Sequence, residues 1–139
     1  MNSVGRTVVG VLGLWHGLAA LQNAFDILAE AAGMRFLQPM ASKNLAYIVE
    51  VLEPLHAPKA VPAMLLGGAS LIEAAAAVSF LGAVVDDKDA DAGFALSLAL
   101  FGAFFLIDDA LDDYDSGAKH RSIFTFVAAA YAATKAASR

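Results

Sequence analysis

Four stretches of this chain carry almost no charge, and they dictate the solvent in which it can fold. Thr7 to Phe25 has no formal charge when His16 is neutral, and Ala60 to Val85 is interrupted only by Glu73. Ala92 to Ile107 is uncharged and runs on into "DDALDDY", and Ser122 to Thr134 is a shorter run, "SIFTFVAAAYAAT". A helix that crosses a bilayer needs ~20 mostly apolar residues. The first two runs meet that requirement directly. The third meets it if its acidic end reaches the interface. The fourth meets it if His120, Arg121, Lys135 and Arg139 act as snorkelling ends. Composition agrees: 59% of the residues are hydrophobic and 17% charged, against ~45–50% and ~25% in a typical soluble domain.

The resulting expectation is an all-α, single-domain, four-transmembrane-helix bundle with spans near 6–30, 60–85, 92–114 and 120–137. Between the first two spans lies a segment punctuated by Gly33, Pro39, Pro54 and Pro58. Within it Leu45, Ile48, Val49 and Leu52 share one helical face. That pattern predicts a short amphipathic interfacial helix over 42–53, with Ser42 as its N-cap. Gly117 reads as a helix stop in the last turn before the fourth span, and Arg6 ahead of the first run reads as a flank of a span rather than of a signal peptide. Lys and Arg divide almost evenly between the two sides, so orientation is open.

Composition removes several function classes. The net charge is -5, with no basic patch to neutralise phosphates, so no nucleic-acid partner is expected. The absence of cysteine excludes disulfides, thiolate metal sites and cysteine nucleophiles. No phosphate-binding glycine loop or nucleophile elbow is present, and the residues leave any cofactor unknown.

Polar residues inside apolar spans have to find partners. His16, Asn23, Asp26 and Glu30 fall on one stripe of the first helix, together with Ala19 and Ala20. Ser70 and Glu73 share a face of the second long run, which places Glu73 toward that stripe. His16, Asn23, Asp26 and Glu73 are therefore the candidate intramembrane polar site. One reading makes them a proton, cation or metal site; the other makes them a hydrogen-bond cluster that fixes helix register. Glu53 and His56 form a carboxylate-x-x-imidazole pair of the kind di-iron bundles use twice, but here it occurs once and contains Pro54. Asp108 and Asp112 lie on one line if the third helix continues to Tyr114, as weak metal ligands or as a solvated helix end. Phe94, Phe101, Phe104, Phe105, Phe124 and Phe126 read as lipid- or partner-facing bulk. The small residues of "EAAAAVS" and "VAAAYAATKAAS" favour close helix contact.

Taken together, Asn23 and Asp26, Met40, Glu73, and Asp108 to Tyr114 give a layout that resembles a bacterial family of small integral membrane proteins of unknown function. DoxX-like four-helix membrane proteins share the general look. The resemblance implies a four-helix membrane fold and supplies no activity. The expected role is a non-enzymatic accessory or structural subunit in the lipid bilayer, packing against a larger membrane complex or as a homo-oligomer. The alternative is a small transporter or a metal-, proton- or quinone-handling protein built on the His/carboxylate site. On either reading the chain should stay in the membrane pellet after extraction with high salt and alkaline carbonate, assayed by immunoblot, and recovery in the supernatant would refute the membrane assignment.

Overall fold

The computed structural model describes residues 1–86 and 89–136. Five α-helices account for most of them: α1 (Ser3–Ala31), α2 (Asn44–Leu52), α3 (Val61–Asp86), α4 (Asp91–Ala110) and α5 (Tyr114–Ala136). Two short 3-10 segments, Arg35–Met40 and Glu53–Leu55, flank α2. Lys88 and Arg139, which entered the comparison of Lys and Arg, and residue 137 of the expected fourth span lie outside the described residues.

The long helices run antiparallel in sequence. α1 packs on α3, α3 on α4 and α4 on α5, while α5 touches α1 only lightly. Three of them, α1, α3 and α4, are long and apolar enough to cross a membrane. α5 is comparable in length but carries Asp115, Lys119, His120 and Arg121 in its first turns, and these lower its hydropathy. On α1, Arg6 and Asp26 bracket about 30 Å of helix at 1.5 Å per residue, which matches the ~30 Å hydrocarbon core of a bilayer.

Helix α3 is apolar all round, so its pattern cannot say which face is inside. Packing decides it. Leu66, Ala69, Glu73, Ala76, Phe80 and Ala83 are buried, at alternating spacings of three and four. That is the seam of a left-handed helix pair, and it meets the buried Val9, Leu12, Gly13, His16, Ala20 and Asn23 of α1. Small residues let the backbones approach. A Cβ on Gly13 would lie 2.9 Å from Leu81, and one on Gly93 would lie 2.7 Å from the Phe80 ring. Phe80 is fully buried, with Phe94 edge-on at 5.0 Å and Tyr131 beyond it at 5.1 Å from Phe94.

Three expectations are corrected. The third helix does not run to residue 114: α4 ends at Ala110 and α5 begins at Tyr114. Asp112 takes the left-handed φ of 57°, and the N–H of Asp113 reaches back to the carbonyl of Asp108 at 2.9 Å. This is a Schellman closure with aspartate in the place usually held by glycine. Asp113 then caps α5 by accepting the Ser116 N–H at 3.2 Å. Gly117 is accordingly no helix stop. It is buried inside α5, where a Cβ would lie 3.4 Å from Asp108, an ordinary van der Waals contact. Finally, Phe94 and Phe101 are core residues, whereas Phe126 is exposed; Phe104, Phe105 and Phe124 are half-buried. An aromatic on a uniformly apolar helix carries no sign of its facing.

The tight approach at Gly93 generates a test. Gly93→Ala should destabilise the bundle by about 1–3 kcal/mol, because the Phe80 ring must shift. Gly68→Ala, which meets nothing within 4 Å, should be neutral or stabilising by up to about 1 kcal/mol. Thermal unfolding followed by circular dichroism in detergent reads both, and equal effects would contradict the packing described.

Candidate functional site

Asn23 sits at the centre of the polar interior. Its amide nitrogen donates to the Glu73 carboxylate at 2.8 Å, and its amide oxygen accepts from the Asn44 side chain, also at 2.8 Å. The two bonds fix the amide orientation and join α1, α3 and α2 through one side chain. Asn23 and Glu73 are both buried. Glu73 lies on the seam of α3, so any residue there must face α1. It lies level with Asn23, about one helical turn from Asp26. Glu73 is central in its own apolar run but close to one end of the apolar stretch of α1, because α3 is displaced along α1 toward the α2 side.

Asp26, one turn beyond Asn23, has a different task. Its carboxylate accepts the backbone N–H of Leu45 at 2.8 Å and the Ser42 hydroxyl at 3.0 Å. Leu45 is in the first turn of α2, whose N–H groups have no partner within the helix. Asp26 therefore supplies from α1 the capping interaction that a local side chain usually provides, and a carboxylate at a helix N-terminus is also favoured by the dipole. The expected cap, Ser42, is displaced from that role. The residue at the cap position is Lys43, with a left-handed φ of 67° and no side-chain cap bond, so α2 starts at Asn44 rather than 42. Ser42 instead bridges, accepting the Asn44 N–H at 3.2 Å while donating to Asp26.

Deeper in the bundle, His16 is almost wholly buried. Its Nε2 shares a 2.9 Å hydrogen bond with the Ser97 hydroxyl of α4, in the direction set by the imidazole tautomer. The rings of Trp15, Phe80 and Phe101 surround it, with centroids 5.0, 5.8 and 5.9 Å away. Its Nδ1 is buried without a hydrogen-bond partner. Glu30, expected on the same stripe, is exposed and bonds Gln38 of the connector. Ser70 donates to the Ala20 carbonyl at 2.9 Å and adds a second polar tie between α1 and α3.

The remaining candidates fall elsewhere. Glu53 and His56 are both exposed, and His56 has a left-handed φ of 50° just past the 3-10 turn. Asp112 is outside any helix and accepts from the Tyr114 hydroxyl at 2.9 Å, so it shares no helix face with Asp108. Asp108 is buried and lies 2.5 Å from Nδ1 of His120 on α5. Beside it Asp109 takes the Arg121 guanidinium through two 3.2 Å contacts. Tyr47 of α2 donates to Asp113 at 2.5 Å. Burial, followed by that bond, pushes the Tyr47 hydroxyl up to about 12, and the Tyr47 bond, followed by the Ser116 N–H, holds the Asp113 carboxyl below the usual carboxylate range. Among the described residues no three His, Cys, Asp or Glu side chains cluster as a metal site would require. No family model matches the chain, nor does any curated protein or solved structure.

Sequence reasoning did not single out Ser97, Asn44 and Tyr47. Ser97 was findable as the one hydroxyl within the run from Ala92 to Ile107. Asn44 and Tyr47 sit on an ordinary-looking helix, and only tertiary contact gives them partners.

The Asn23–Glu73 bond yields a measurable coupling. Glu73→Gln should be tolerated, because an amide oxygen accepts from Asn23 in the same place. Glu73→Leu should cost about 1–2 kcal/mol, and a cycle with Asn23→Leu should show a coupling of about 0.6–1.7 kcal/mol, the range of interhelical hydrogen bonds in membranes. Steric-trap unfolding in bicelles measures it; additive single mutants would show that the two side chains do not depend on each other.

Proposed function

We propose that this chain is an integral membrane protein in which α1, α3, α4 and α5 all cross the bilayer, α2 lies at one interface, and the bundle serves as a non-enzymatic accessory subunit of a larger membrane complex. The observation that carries this reading is that Asn23, Asp26 and Glu73 are taken up in bonds to one another, to Ser42 and Asn44, and to the α2 backbone. Such bonds fix register and seat α2; they are the work of a scaffold. As a fourth span, α5 is supported by its antiparallel pairing with α4 and by its ends. His120 and Arg121 meet Asp108 and Asp109 at one end, and Lys135 meets Asp89 and Asp91 at the other. The resemblance to small four-helix membrane proteins fits the same layout.

The surface offered to a partner is the seam between α1 and α5. A cleft of about 270 Å³ opens there, lined by Gly5, Val8, Phe126, Ala129, Ala130 and Ala133 among others. Small residues on both walls suit the close approach of another transmembrane helix.

A second reading, a small proton-, metal- or quinone-handling protein, rests on one observation: the buried, unpartnered Nδ1 of His16. Purification from the native membrane in a mild detergent distinguishes the two. Larger subunits that co-purify, and that cross-link to a photoreactive residue at Ala129 but not to one at Leu14, support the accessory role. A lone oligomer carrying a metal or a coloured cofactor that is lost in His16→Phe would replace the first reading with the second.

A further inference from the structure

The chain leaves α1 through Gly33, whose left-handed φ of 72° suits a residue without a side chain. The Met34 N–H closes on the Leu28 carbonyl at 3.1 Å, and the chain then turns back along α1. Gln38 donates to Glu30 at 2.9 Å, and the Ser42 N–H reaches the Gln22 carbonyl at 3.2 Å. From the Leu28 carbonyl to the Gln22 carbonyl is a descent of about 9 Å at the rise of an α-helix. The 3-10 turn Arg35–Met40 lies within that descent. On the same ruler Gln22 is about 6 Å inside Asp26, which marks one edge of the ~30 Å apolar length of α1. The turn therefore straddles that edge.

The side chains of this segment are sorted to match. Leu37 is buried, whereas Met34, Phe36 and Met40 are 41%, 75% and 48% exposed. Three large apolar side chains exposed within residues 34–40, outside the long apolar runs, exceed the scattered exposure normal for a surface. The backbone is already provided for: the N–H groups of Leu37, Ala41 and Ser42 bond the carbonyls of Met34, Gln38 and Gln22, so the turn carries few unmet donors toward lipid. Arg35 and Lys43 flank it, both exposed. No carboxylate among the described residues pairs with either cation.

We propose, resting on the reading of α1 as a membrane span, that the turn Arg35–Met40 is a lipid-seated wedge. Phe36 and Met40, with Met34, enter the headgroup–acyl boundary of the bilayer that α1 crosses, and Arg35 and Lys43 face its phosphates. Apolar faces of interfacial segments sink roughly 5–10 Å into that boundary, which is the scale of the descent along α1. Arg and Lys stems lie along apolar surface while their charges stay at the polar level. The occupant is phospholipid, because the patch stands at the edge of the apolar length of α1, and the partner seam at Gly5 and Ala129 lies toward the other end of the bundle. The wedge fixes how far α1 sinks, since Gln38 and Ser42 bind it to Glu30 and Gln22. It also sets the level of α2, whose first turn follows directly and is held by Asn23 and Asp26.

Tryptophan fluorescence reads the depth. Trp15 is the one tryptophan of the chain, so Trp15→Phe gives a background in which Phe36→Trp, Met40→Trp and Leu14→Trp each carry a single fluorophore. The full chains are reconstituted into phosphatidylcholine vesicles whose acyl chains carry bromine near the carbonyl end or near the methyl end. Phe36→Trp and Met40→Trp should be quenched more by bromine near the carbonyl end, and both should resist aqueous iodide. Leu14→Trp, at an exposed position midway along α1, should be quenched more by bromine near the methyl end. The two turn positions are read independently, so a variant that does not fold leaves the other to decide. Iodide quenching without bromine quenching would put the turn in water, and protection from both would put it against protein. Either result overturns the wedge while Leu14→Trp still reports a span. Loss of bromine quenching in Leu14→Trp as well would remove the membrane reading, and the wedge with it.

Discussion

The fold depends on the two hydrogen bonds made by Asn23. In a packed apolar interior, a buried amide or carboxylate has no water to fall back on, and leaving it unmatched costs about 1–3 kcal/mol or more. Asn23 matches Glu73 with its nitrogen and Asn44 with its oxygen, so α1 can slide neither along α3 nor away from α2 without breaking a bond. Apolar seams cannot supply that constraint. α3 presents Ala, Leu and Val on every side, and a seam of Ala and Leu tolerates a shift by one heptad. Glu73 is the residue that makes one register of α3 on α1 better than its neighbours, as a polar residue at a core position does in a coiled coil.

Asp26 extends the same logic to the connector. α2 is short, and a helix of its length is not stable alone in water. It lacks a local side-chain cap. Its first turn is completed by a carboxylate on α1, so α2 is helical because α1 is beside it. Its far side is tied at Tyr47 to the α4–α5 turn. The helix thus bridges the α1–α3 pair to the α4–α5 pair at one end of the bundle. At the opposite end Lys135 ties α5 to Asp89 and Asp91, an exposed pairing of small energetic value.

Different features of this chain were legible to different degrees. The all-α class and the apolar helices follow from runs of uncharged residues, because length and hydropathy are properties of a segment by itself. The polar stripe through His16, Asn23 and Asp26 was legible for the same reason: helical periodicity alone puts these three on one face, and all three are buried. What was not legible depends on contact between segments. The break after Ala110 is set by an aspartate in a left-handed conformation, where the usual signal is glycine, while Gly117, which looked like that signal, lies buried inside α5. Phe94 and Phe101 could not be told from Phe126 by pattern, since an apolar helix has no polar face to orient it. The start of α2 moved because its cap comes from a residue far earlier in the chain, which no local reading of Ser42 could anticipate.

The polar interior is also unevenly distributed, and that bears on what the bundle can tolerate. From Asn23 toward α2, every buried polar group described here meets a polar partner. Toward the other end lies an apolar plug of Val9, Leu12, Phe80, Phe94 and Val127. His16 stands at the boundary, with one nitrogen on Ser97 and the other unmatched. A histidine in that position does not hold register as Asn23 does, because Ser97 satisfies only half of it. Replacing it with an aromatic hydrocarbon of similar size would remove an unmatched polar atom from an aromatic pocket already formed by Trp15, Phe80 and Phe101. On stability alone such an exchange should be close to neutral, since one hydrogen bond is lost and one unsatisfied group disappears with it. The imidazole at this boundary is therefore not explained by packing, whereas Asn23, Asp26 and Glu73 each have polar partners within the bundle.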